Sequence, residues 1–205
     1  MDIDINGFQY EALKEVGNIG VGNATTALSQ LIGKKVMLSF PSLMVMDTQS
    51  IAENTSNIEI VGTVVRIVGD VNGGSLIAFQ KSSADSFVDI LLKDTPYEND
   101  EDMRKSVLNE TANILVGSYL NALSKFLDMT LLPSLPSQTQ GSSSEIFKMV
   151  EKQLNCSVDH VVTLTTMFEV ETANINKTVD GDMFLLLDSE SLEIILARVD
   201  RMRTI

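Results

Sequence analysis

Near the start of the chain, apolar or small residues recur at three- and four-residue steps. Leu13, Val16, Gly20, Ala24, Leu28 and Leu31 form one stripe, as in a helix that buries a single face. Val36–Phe40 follows as a strand, and Pro41 is expected to end it, because proline cannot donate to a β-ladder. The β-branched segment Asn57–Val68 reads as a second strand. Val71-Asn72-Gly73-Gly74 reads as a hairpin turn, with Leu76–Phe79 returning from it. Ser83–Leu92 is a short amphipathic helix with Ser82 or Ser83 as its cap, and Glu98–Asp102 reads as an acidic linker.

The pattern then starts again. Residues 15–41 and 110–136 align without a gap at an offset of 95, with ten identities in 27 positions. A weaker match relates 71–92 to 179–199 at an offset of 108, so about 13 extra residues lie between Pro136 and Val179. The polar stretch Ser137–Ser144 is the expected loop that holds them. The expected fold class is α/β (α+β): a pseudo-twofold duplicated domain with a mixed, largely antiparallel sheet and two long helices carrying the matched residues. One domain is expected over 1–205, made of repeats at about 8–98 and 101–205.

The matched polar residues lie opposite the apolar stripe. Glu15 and Asn18 are three apart, as are Glu110 and Asn113, which sets each carboxylate and carboxamide on one side of a helix, about 5–6 Å apart at Cβ. Gly22 and Ser29 continue that face in the first copy, and Gly117 and Ser124 in the second. Glu11 and Ser106 sit four residues before the glutamates. A Glu-x-x-Asn pair on a wet helix face usually does nothing, and duplication preserves some identities by inertia. Asparagine is nevertheless a poor helix former, so its retention in both copies, four residues before a matched glycine, favours a use. Glycine inside a helix costs up to about 1 kcal/mol, and its recurrence implies close approach of another backbone, from a packed helix or from a partner. A carboxamide is no nucleophile, but it can hold a water in line for attack. The glutamate can pair with a basic group on a partner.

Composition removes other readings. The formal charge is −13, from 28 acidic and 15 basic side chains, and no Lys/Arg run collects polymer phosphates or an anionic membrane. The N-terminus shows no secretory signal and no apolar run is long enough to span a bilayer, so a cytoplasmic protein is expected. Cys156 and His160 provide too few ligands for a zinc site, and their spacing fits no nucleophilic pair. The expectation there is a buried thiol beside a solvated imidazole. Gly17-x-x-Gly20-x-Gly22 has its glycines in the wrong order for a dinucleotide fingerprint, with no strand before them.

The pattern Asp/Ser-x3-Glu-x2-Asn-x22-Pro, present twice, resembles that of the CheC-type chemotaxis phosphatases (the CheC/CheX/FliY family). Ser106, Glu110, Asn113 and Pro136 match it completely, whereas Glu15, Asn18 and Pro41 match it with Glu11 in place of Asp or Ser. The resemblance implies hydrolysis of the aspartyl phosphate on a CheY-like response regulator. Asn18 and Asn113 would orient the attacking water, and Glu15 and Glu110 would pair with the regulator's lysine. It implies no cofactor of the chain's own, with Mg2+ supplied by the regulator. The implied partners are the phosphorylated regulator and the deamidase CheD, and two motifs in one chain imply a monomer rather than the CheX-type dimer. The alternative is a non-catalytic adaptor that docks CheD or a response regulator.

Overall fold

The stripe beginning at Leu13 folds as α1 (Gly7–Ile32). Its start is a capping box: the Asn6 side chain accepts from the Gln9 amide, and the Gln9 side chain accepts from the Asn6 amide. β1 (Val36–Asp47), β2 (Glu59–Gly69), β3 (Gly73–Gln80) and α2 (Lys81–Leu92) complete the first repeat. The second runs α3 (Glu101–Leu127), β4 (Leu131–Pro133), β5 (Ser137–Ser142), α4 (Ser143–Leu154), β6 (His160–Glu171), β7 (Asn176–Leu187) and α5 (Ser189–Met202). The computed structural model describes residues 5–47, 58–154, 158–171 and 176–203.

The strands form one sheet in the order β1-β6-β7-β3-β2-β4, with β5 also on β2, and every pairing is antiparallel. Pseudo-twofold symmetry is legible in that order. β7 and β3 meet at the centre, and each repeat lends its first strand to the other's outer edge: β1 to β6, β4 and β5 to β2. The main core packs α1, α2, α3 and α5 on one face, around the rings of Phe79, Phe87 and Phe168 at 5.0–5.6 Å between centroids. A second cluster seats Ile146, Val150 and Leu154 of α4 on the other face. With apolar layers on both sides, β2 is buried from Ile60 to Val65 and β3 from Gly73 to Phe79, which is why these stretches read as continuous apolar runs rather than alternating ones.

α1 and α3 lie antiparallel over the sheet. A Cβ on Gly20 would stand 3.0 Å from the Cα of Tyr119, so the helices cross there almost backbone to backbone. Leu31 and Ile32 at the end of α1 share a groove with Ser106, Val107 and Glu110 in the first half of α3.

Several local expectations are corrected. β1 does not end at Pro41: its register on β6 shifts between Ser39 and Ser42, and the strand continues to Asp47. That irregularity on an edge strand is where a residue without an N–H can be accommodated. Asn57 lies outside the described residues. The hairpin tip is 70–72, while Gly73 and Gly74 belong to β3, where a Cβ on Gly73 would fall 2.2 Å from the Leu186 carbonyl oxygen. Neither Ser82 nor Ser83 caps α2; its cap residue is Gln80, without a side-chain hydrogen bond. The acidic linker is largely the start of α3. Asp100 caps it by accepting from the Asp102 and Met103 amides, and Glu101 and Asp102 fill the first turn, where negative charge favours the helix dipole. Ser137–Ser144 is not a loop, since it forms β5 on the edge of β2 and the first turn of α4. Leu31, expected in the core, is 58% exposed.

Candidate functional site

Helical periodicity places the paired residues. Leu13, Val16 and Gly20 turn one side of α1 into the core, as do Leu108, Ala112 and Leu115 in α3. Glu15 and Asn18, and likewise Glu110 and Asn113, therefore face outward, and all four are exposed. None has a hydrogen-bond or ion-pair partner among the described residues. Glu11 and Ser106 are exposed on the same faces, one helical turn toward each N-terminus.

The repeated glycines divide by role. A Cβ on Gly22 or on Gly117 would meet nothing within 4 Å, so no packed helix of the described chain explains them. The close approach inside the molecule is made by Gly20 instead, which sequence matching passes over because its counterpart is Leu115.

Other matched residues are structural. Ser29 Oγ donates to the Val36 carbonyl at 3.2 Å and accepts from the Val36 amide at 3.0 Å, while Ser124 Oγ donates to the Met129 carbonyl. Each serine ties the end of its helix to the chain leading into the next strand, beside a left-handed residue at equivalent positions, Gly33 and Asp128. Pro41 coincides with the irregularity in β1, and Pro136 separates β4 from β5. Both prolines thus interrupt edge strands at opposite ends of the sheet.

One feature of the second site was not legible in the sequence. A groove of about 290 Å³, lined by Leu31, Ile32, Leu92, Met103, Ser106 and Glu110 among others, opens beside Glu110. Met103 and Val107 continue the apolar stripe of α3 toward its start, the one signal that could have pointed there. His160 is buried at 6% exposure rather than solvated. Its Nε2 is 3.2 Å from Ser189 Oγ, and Ser189 donates its amide and hydroxyl to Asp159, a cluster that ties β6 to α5. Cys156 lies outside the described residues.

Two outward Glu/Asn pairs on antiparallel helices can recognise a cation and position a water.

Comparison with known proteins places this geometry in context. The model described as "CheC-like family" matches residues 8–45, which contain the first pair, and that described as "Chemotaxis phosphatase CheX" matches 61–158, which contain the second. The chain is 25% identical over 191 residues, 90% of each protein, to the CheY-P phosphatase CheC of Bacillus subtilis. It is 26% identical over 124 residues to the flagellar motor switch phosphatase FliY of the same organism, covering 59% of this chain and 32% of that one. The crystal structure of Thermotoga maritima FliY superposes with a TM-score of 0.73 at 16% identity, over 97% of this chain and 99% of that one, a likeness of fold.

Proposed function

We propose that the chain, which resembles the CheC-like and CheX chemotaxis phosphatases, hydrolyses the aspartyl phosphate of a CheY-like response regulator at two sites, Glu15/Asn18 and Glu110/Asn113. The observation that carries this reading is the exposure of all four side chains without any partner among the described residues. Groups held free in both copies are available to another protein.

In each site the asparagine carboxamide accepts a hydrogen bond from a water and aims its oxygen at the phosphorus. The P–O bond to the aspartyl carboxylate breaks as the new P–O bond forms, leaving a free carboxylate and inorganic phosphate, with the water's proton passing to solvent or phosphate. Such a reaction depends on positioning more than on covalent chemistry. The glutamate meets the regulator's lysine and fixes the register of docking, and the Mg2+ ion is the regulator's own. The protein works as a monomer on this reading, with CheD as a further partner.

The test is the decay of a phosphorylated regulator from the same cell, with and without this protein. Acceleration that saturates with regulator supports the proposal. Binding without acceleration would instead establish the adaptor alternative.

A further inference from the structure

Resting on that reading, we infer that the groove beside Glu110 is a socket for one large apolar side chain of the regulator, seated next to the lysine that Glu110 meets. Leu31, Ile32, Met103 and Val107 give the groove apolar walls, and Leu31 leaves most of its side chain exposed. Glu110 is the one charged side chain among the described residues that line it, and it belongs to the Glu110/Asn113 pair as well. The groove is thus continuous with the surface that a docked regulator covers. Met103 lies seven residues before Glu110 on α3, about 10 Å along the axis. A standard interface covers about 800 Å² on each protein, a patch of roughly 16 Å radius, so a regulator docked over Glu110 reaches Met103.

Size and charge select the occupant. A cavity of about 150 Å³ admits benzene, so the groove, at about 290 Å³, has room for a side chain the size of leucine, methionine or phenylalanine. Apolar walls beside an exposed carboxylate suit an apolar group whose neighbour is a cation. The first site offers different chemistry. The offsets that relate the repeats carry Leu92, Thr95, Met103 and Ser106 onto Asp200, Arg203, Phe8 and Glu11. Asp200 accepts from the buried Gln9 carboxamide at 3.0 Å, and the Arg203 guanidinium stands 5.9 Å from the centre of the Phe8 ring. Three charged groups stand where the second site has a leucine, a threonine and a serine. The regulator therefore gains the apolar contact at Glu110/Asn113 and not at Glu15/Asn18.

Single-site variants test this. Asn18→Ala leaves the second site to turn over, and Asn113→Ala leaves the first. KM for the phosphorylated regulator should be about tenfold lower at the second site, the scale of burying one aliphatic side chain. Leu31→Asp added to Asn18→Ala should raise that KM about tenfold, while Leu31→Met restores it. The same Leu31→Asp added to Asn113→Ala should leave KM in place. The Met103 methyl resonance of the Asn18→Ala protein should shift when a regulator locked by beryllium trifluoride is added. Equal KM for the two single-site variants, or an unmoved Met103 resonance at saturation, would overturn the socket and leave the phosphatase reading intact. Self-association of the wild-type chain that Leu31→Asp abolishes would give the groove to a second copy and overturn the socket too. Full turnover by Asn18→Ala/Asn113→Ala would overturn the site assignment itself.

Discussion

Gly22 and Gly117 occupy equivalent turns of the two long helices, and each carries a conformational cost with no neighbour among the described residues to justify it. Alanine at either position should raise stability by about 0.5–1 kcal/mol, the usual difference in an open helix interior, read as a higher urea midpoint. If the space is kept for the regulator, the same variants should lose turnover. A Gly22→Ala/Gly117→Ala protein that gains stability and keeps full activity would show that no partner uses the space. The Glu/Asn pairs stood out in the sequence as polar identities shared by both repeats, and all four side chains are exposed. Ser29 and Ser124 were matched just as closely, yet their hydroxyls serve the backbone at the ends of α1 and α3. Identity between repeats records constraint without revealing whether the constraint faces inward or outward; burial and hydrogen bonding decide that.

Among the elements, the long helices and the central strands were readable because period and composition agreed over many residues. The edges were not. Pro41 and Pro136 look like terminators, but an edge strand can bend or break at proline and continue, since one side of it needs no ladder donor. α4 was hidden by its polar approach, although Ser142 and Glu145 mark its start: the Ser142 amide and hydroxyl both donate to the Glu145 carboxylate. These bonds hold that carboxyl below its usual pKa. The element most sensitive to a single atom is the α1–α3 crossing. Gly20→Ala forces a Cβ against the Tyr119 backbone, and overpacking of this kind costs about 1–3 kcal/mol, offset by up to about 1 from helix propensity. A lowered urea midpoint at unchanged slope is expected, opposite in sign to Gly22→Ala two residues away. Equal stability gains at both positions would mean that the helices do not cross there.

Across the whole molecule, both faces of the sheet are used, and Asp182 shows what that costs. It sits on β7 opposite Thr165, and burial pushes its carboxyl above the usual range, against a bond from Thr165 that lowers it. A raised folded-state pKa favours the protonated form, so this contribution to stability is full below the unfolded carboxylate range and is lost as pH rises through the folded value. Asp182→Asn should therefore raise the melting temperature at pH 7, with the gain shrinking as pH falls below the carboxylate range. A gain that grows toward acid would contradict a half-buried carboxylate with a raised pKa. Asp182 and the α1–α3 pair also stand on opposite sides of the sheet's division of labour: Met183 and Leu185 pack into the core beneath the long helices, while Phe184 and Leu186 pack with α4. The proposed catalysis belongs to the outer surface of the long helices, where both Glu/Asn pairs are exposed. The measurement that bears on it most directly is turnover of phosphorylated regulator by Asn18→Ala/Asn113→Ala, alongside its affinity for the same regulator. Loss of positioning predicts a rate reduced roughly 10²-fold or more, with affinity nearly retained because neither side chain is large enough to dominate an interface. Wild-type turnover by that double variant would contradict the assignment of the two asparagines.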